Sequence, residues 1–241
     1  MFRQDYIMRT IRVFIDALIL LIRSRRDQDY HRARSIIAQT WEDIFGLSTA
    51  SVMALSERTL LSMLMKRSGG AVDTALMAAR LFKEDGTLAV SDGQEDDGRL
   101  LYLKALNCYL EIAVEPTIGT EAFRWISEDI SSTGLVTDPH EAIGELLGLL
   151  ENADLPVSTS MLLFRYFERY GKYARAEDIL FQVMDDIPAE PEIARLGLAF
   201  YDRLESMGDD CLERGGLPRD EVREGREQLR QRIRRAGYVF D

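Results

Sequence analysis

Two arginines four residues apart, Arg165 and Arg169, are the side chains here best placed to hold a ligand. On a helix they share one face, where two guanidinium forks could clamp a carboxylate. The competing reading pairs them with nearby acids such as Glu168. Phe82 joins them as the third candidate for a partner-binding face. Little else offers chemistry. His31 and His140 lie more than a hundred residues apart, and Cys108 and Cys211 have no CxxC spacing, so four potential zinc ligands have no common site. The acidic run Asp92-Gly93-Gln94-Glu95-Asp96-Asp97-Gly98 departs from a calcium loop. Such a loop needs Asp or Asn at its third position and Glu at its twelfth, where this chain has Gln94 and Leu103. The run suits a turn opening a helix, where carboxylates favour the positive end of the dipole. There is no GxxxxGK[ST], no GxGxxG after a strand and no GxSxG. The pairs Asp185-Asp186 and Asp209-Asp210 lack a histidine or aromatic context that would tune a pKa. No catalytic, cofactor-binding or metal-ligating residue is therefore expected, and the chain reads as a non-enzyme without cofactors.

The elements that would position Arg165 and Arg169 are helices. A hydrophobic fraction of 46% and a charged fraction of 29% belong to a folded globular chain. Leu, Ala, Arg, Glu and Met dominate, and these lose little rotamer freedom in a helix. Period and caps predict helices at 4–24, 28–45, 49–67, 71–90, 96–114, 120–131, 139–152, 158–170, 173–187, 190–207 and 218–236. The segment Asp138-Pro139-His140-Glu141 carries an Asp N-cap, a Pro at the first helical position and a following Glu. The expected fold is all-α, a single domain over 1–241 of about 11 helices. No targeting segment is read at the N-terminus, and with two unpaired cysteines the setting reads as a reducing cytoplasm.

The apolar run Val13 to Ile22 is too short to span a membrane and contains Asp16. Apolar on more than one side, it needs cover from several directions. Neighbouring helices could supply it, or a homodimer interface, or a membrane surface with the flanking arginines at the headgroups. The net charge of −11 argues against a free nucleic-acid partner. Residues 1–34 and 214–235 each carry eight arginines against four acids, leaving fourteen basic and thirty-two acidic residues between them. The basic stripe Arg219, Arg223, Arg226, Arg230, Arg234 reads as a solvated face or as a cap on the acidic body.

The helices also repeat. Phe167, Gly171, Tyr173, Ala176, Leu180, Val183 and Pro188 place an aromatic late in one helix, a Gly at the turn, a small residue at the crossing and a closing Pro. Such spacing resembles a tetratricopeptide repeat. A second copy runs from Phe82 to Leu106, with Gly98 as the small crossing residue followed by Tyr102 and Ala105. A third pairs Leu20 and Leu21 with Ala33, Ile37 and Trp41. The copies are not contiguous, which makes a degenerate array of helical hairpins in an α-α superhelix. Over most of its length, through Arg3 to Arg9, Leu100 to Leu106 and Phe167 to Asp178, the chain resembles a bacterial tetratricopeptide-like family catalogued as a domain of unknown function. The resemblance implies a helical-hairpin fold and a bacterial cytoplasmic setting, and it brings no catalytic residues. The expected function is that of a scaffold or adaptor for a protein or peptide partner. Peripheral membrane association and a ligand-binding regulatory role are the alternatives.

Overall fold

Every element among the described residues is a helix. The computed structural model describes residues 2–67, 72–115, 138–151, 153–188 and 190–237. Contacts divide the chain into two units, Met1–Ala153 and Asp154–Asp241. The first contains α1 (Phe2–Arg26), α2 (Tyr30–Thr40), α3 (Thr49–Ala54), α4 (Glu57–Arg67), α5 (Val72–Ser91), α6 (Glu95–Val114) and α7 (Pro139–Leu149). A π-helical turn, Trp41–Phe45, continues α2. The second contains α8 (Val157–Arg169), α9 (Tyr173–Asp186), α10 (Pro191–Glu205), α11 (Asp209–Arg214) and α12 (Arg219–Arg235).

The first unit is built around the hairpin of α5 and α6. Gly93, at φ +77°, turns the chain in a conformation that L side chains rarely adopt. Glu95, Asp96 and Asp97 then occupy the first turn of α6, which is the role expected of the acidic run. The two helices cross at Gly86 and Gly98: a Cβ on Gly98 would lie 3.1 Å from the Gly86 carbonyl oxygen, and a Cβ on Gly86 would lie 2.7 Å from the Tyr102 ring. Gly98 is thus the small crossing residue its spacing implied. Around the hairpin, α1 buries Ile11, Phe14, Leu18 and Leu21, while α2 and its π turn bury Ala33, Ile37, Trp41 and Phe45. Cys108 is fully buried as a small core residue.

Ion pairs fasten each neighbour to this hairpin. Glu84 of α5 accepts from Arg25 of α1 at 3.0 Å and pairs with Arg80 at 2.7 Å. Arg34 of α2 reaches Asp92 at 2.7 Å. Lys104 of α6 donates to the Leu55 carbonyl at 3.2 Å and to Glu57 of α4 at 3.3 Å. Lys83 of α5 meets Glu145 of α7. Burial, together with the nearby Arg80 charge, lowers the Lys83 ammonium to about 8.

Burial pushes the Asp85 carboxyl up to about 6, against the opposing pull of Arg34. The folded chain holds this proton to higher pH than the unfolded chain. The stability tied to it is therefore complete below about pH 4 and lost as pH rises through about 6. Asp85→Asn keeps the neutral form. It is expected to match wild-type stability near pH 4 and exceed it by about 2 kcal/mol above pH 7, measured by urea unfolding across pH. A difference that does not vary with pH would contradict this.

Two predicted elements differ. The helix expected over 49–67 breaks at Leu55, whose backbone is extended, and Ser56 accepts from the Thr59 amide to start α4. The helix expected over 190–207 ends at Glu205, and the short α11 follows it. The helix expected over 120–131 lies outside the described residues. Asp138 caps α7 as anticipated, accepting from the His140 amide at 2.7 Å.

In the second unit α8 and α9 form a hairpin that turns at Gly171, φ +67°. The motif residues Phe167, Tyr173, Ala176, Leu180 and Val183 are all buried. Gly197 of α10 lies where a Cβ would come within 3.0 Å of Leu229 on α12 and 3.1 Å of Leu180 on α9, so three helices meet at a residue without a side chain. The basic helix α12 is fastened down by its own arginines. Arg226 pairs with Asp202 and Glu205 of α10, Arg232 pairs with Asp185 of α9, and Arg219 pairs with Asp209 at 2.7 Å. Of the stripe, Arg219 and Arg226 cap acidic neighbours in this unit, while Arg223 and Arg230 are exposed.

Candidate functional site

On α8, Leu163, Phe164, Tyr166 and Phe167 face the core, which turns Arg165 and Arg169 outward, and both are exposed. Glu168, one of the acids that could pair with them, accepts through Oε1 from the Arg203 Nε of α10 at 2.7 Å. The Arg165–Arg169 face is solvent-facing, with Met161 and Leu162 half-buried beside it.

Phe82 does not belong to any such face. It is 1% exposed, its ring lies 5.1 Å from Trp41, and the Lys104 ammonium sits 5.9 Å from its centroid. The reason is the position of α5, which packs against α1, α2, α4 and α6 and so lacks a free side. Of the stretch Phe82–Val90, expected with it to line a surface, every residue but Val90, which is 41% exposed, is core or half-buried.

A groove that the sequence did not announce lies between α1 and α2. Val13, Ala17 and Leu20 line it from α1, and Ile36 and Ile44 from α2 and its π turn, enclosing about 460 Å³. Val13 and Leu20 are 47% and 45% exposed, and Ile19 beside them 47%. The cover expected on several sides of this apolar run is therefore supplied on one stripe only. The clue was available: Val13 and Leu20 fall off the 11–14–18–21 stripe. No helix among the described residues is long and apolar enough to cross a membrane.

Residues 1–234 match a family of unknown function (DUF6483). The chain belongs to this family. No curated protein and no solved structure matches it.

In this DUF6483 chain the groups with shifted pKa values sit in seams between helices. Lys83 lies between α5 and α7, and Asp85 faces the Arg34 charge of α2. Glu177 of α9 accepts from Tyr201 of α10; burial raises its carboxyl, and that hydrogen bond opposes the rise. The Tyr173 phenol, hydrogen-bonded to the Cys211 thiol at 3.5 Å and partly buried, is pushed up to about 12. Each shift follows from packing and local pairing. Among the described residues no group of three or more His, Cys, Asp or Glu is gathered as a metal site would require.

Proposed function

We propose that this protein is a non-enzymatic interaction module of tetratricopeptide-like helical hairpins, working in a bacterial cytoplasm, that holds a protein or peptide partner on the outer face of α8. The observation that carries this reading is the pair of exposed arginines, Arg165 and Arg169, one turn apart on the first helix of the α8/α9 hairpin. Hairpin arrays of this kind offer the first helices of successive pairs as a binding surface. Two guanidinium groups at this spacing favour a partner that presents a carboxylate, from an acidic side chain or a chain terminus. The half-buried Met161 and Leu162 would give such a partner an apolar contact beside the charge.

The test is an affinity capture from native lysate, with wild type run beside an Arg165→Glu/Arg169→Glu variant. Because both side chains are exposed, the variant is expected to keep the wild-type melting temperature. A bound protein present with wild type and absent with the variant is the expected outcome. Recovery of the same proteins by both would move the site off α8.

A further inference from the structure

We propose that residues 238–241 of this chain fold back over the end of α12 and occupy the pocket between α9, α10 and α12. The pocket holds about 420 Å³. Met184, Ile187 and Pro188 line it from α9 and the turn that follows, Ala194 lines it from α10, and Ile233 and Ala236 line it from α12. Its charged rim is balanced: Asp185 pairs with Arg232, while Glu190 and Arg235 add one charge of each sign. A pocket with this lining suits a short uncharged apolar occupant over an acidic or a basic one.

The turn that ends α12 points to the segment. Gly237 takes φ +79°, and its amide donates to the Arg234 carbonyl at 3.1 Å. That is one of the two bonds of a Schellman turn. In such a turn the next residue comes back, donates to the carbonyl three positions before the helix cap and packs against that residue's side chain. Elsewhere the chain completes the same turn. After α11, Gly216 donates to Glu213 at 3.0 Å and Leu217 to Leu212 at 3.1 Å, and both leucines are buried. Gly93 and Gly171 are followed in the same way by Gln94, bonded to Ala89, and Lys172, bonded to Phe167. At α12 the returning residue is Tyr238, and the residue it returns to is Ile233, which is a wall of the pocket. Tyr238, Val239 and Phe240, outside the described residues, are uncharged and apolar in sequence. Four residues reach at most about 14 Å, and they start beside Ala236, already part of the lining. Tethering also separates this occupant from the same segment of a second copy. A short link holds it at an effective concentration on the order of mM, above that of ordinary protein solutions. The contact is independent of the α8 face.

The measurement is amide hydrogen exchange of the full chain beside a Tyr238→Ser/Phe240→Ser variant, with circular dichroism to confirm folding. Peptides covering 184–190 and 232–237 are expected to exchange at least tenfold faster in the variant, while those of α8 keep the wild-type rate. Ile187→Glu, at a half-buried position on the α9 side of the pocket, should have the same effect. Combined with the first two substitutions it should add less than twofold, because both changes remove one contact. Wild-type rates in Tyr238→Ser/Phe240→Ser overturn the proposal, and so does full additivity with Ile187→Glu. Sedimentation supplies the last arm. Wild type and the Tyr238→Ser/Phe240→Ser variant are expected to have the same mass at every concentration. A mass that falls only in the variant would give the pocket to the segment of a second copy and overturn the tethered contact.

Discussion

Replacing Glu84 with alanine is expected to destabilise the first unit by about 3 kcal/mol, the low end for removing one partner of a buried pair. Glu84 is 4% exposed and is the shared acceptor for Arg25 and Arg80, whose side chains are 23% and 12% exposed. Alanine would leave two half-buried cations on facing helices with their common counter-charge gone. Arg25→Ala should cost less, about 1.5 kcal/mol, since Glu84 keeps Arg80 and only one hydrogen bond to a charged group is lost. The asymmetry between these two variants carries the argument, because a surface ion pair would cost about the same from either end. Both tryptophans, Trp41 and Trp125, lie in Met1–Ala153, so fluorescence-detected urea unfolding follows that unit directly. Equal midpoints for the two variants, at unchanged slope, would mean that Glu84 is not the hub of the α1–α5 contact.

Such a hub could not be read from the sequence. Helix periodicity located α5, yet it treats Lys83, Glu84 and Lys104 as ordinary polar positions of an exposed stripe. They are buried because Arg25, Glu57 and Glu145, between 47 and 62 residues away, come round to meet them. Phe82 was misplaced for a related reason. An aromatic on an amphipathic stripe looks the same whether that stripe meets a partner or the rest of its own fold. Local chemistry was more legible. Asp138-Pro139 placed the start of α7, and the spacing of Gly98 to Tyr102 and Ala105 placed the crossing of α5 and α6. The break at Leu55 was hidden because the apolar period runs through it, from Val52 to Leu60, Leu61 and Leu64. Only the Ser56 hydroxyl signals it. Arg165 and Arg169 were foreseen on one face of a helix because a spacing of four residues suffices to say so. The α1/α2 groove needed two helices brought together, and no spacing within α1 alone describes it. The arginines of α12 fall between these cases: a capping role was foreseen, but Arg232, outside the foreseen stripe, makes the pair with α9.

The same substitution, glycine to alanine, is expected to have opposite signs at two helical positions of the first unit. At Gly144 of α7 the added methyl meets nothing within 4 Å among the described residues, so the gain in helix propensity and the loss of unfolded-state freedom act alone. Stability should rise by about 0.5–1 kcal/mol. At Gly86 the methyl would stand 2.7 Å from the Tyr102 ring and 3.1 Å from the Gly98 carbonyl oxygen. Neither can step aside easily, because Tyr102 is 5% exposed with its hydroxyl on Thr87 at 3.3 Å, and the carbonyl belongs to the backbone of α6. Overpacking costs of about 1–3 kcal/mol outweigh a propensity gain of about 1, so Gly86→Ala should destabilise by up to about 2 kcal/mol. Gly86→Leu should go further, by forcing α5 and α6 apart along their whole crossing. Urea unfolding of the three variants, followed by tryptophan fluorescence, separates the possibilities. A stabilised Gly86→Ala would show a seam loose enough to take a methyl group. The expected reversal of sign would instead make the Gly86–Gly98 crossing the closest steric constraint in the unit, against which α1, α2, α4 and α7 are placed.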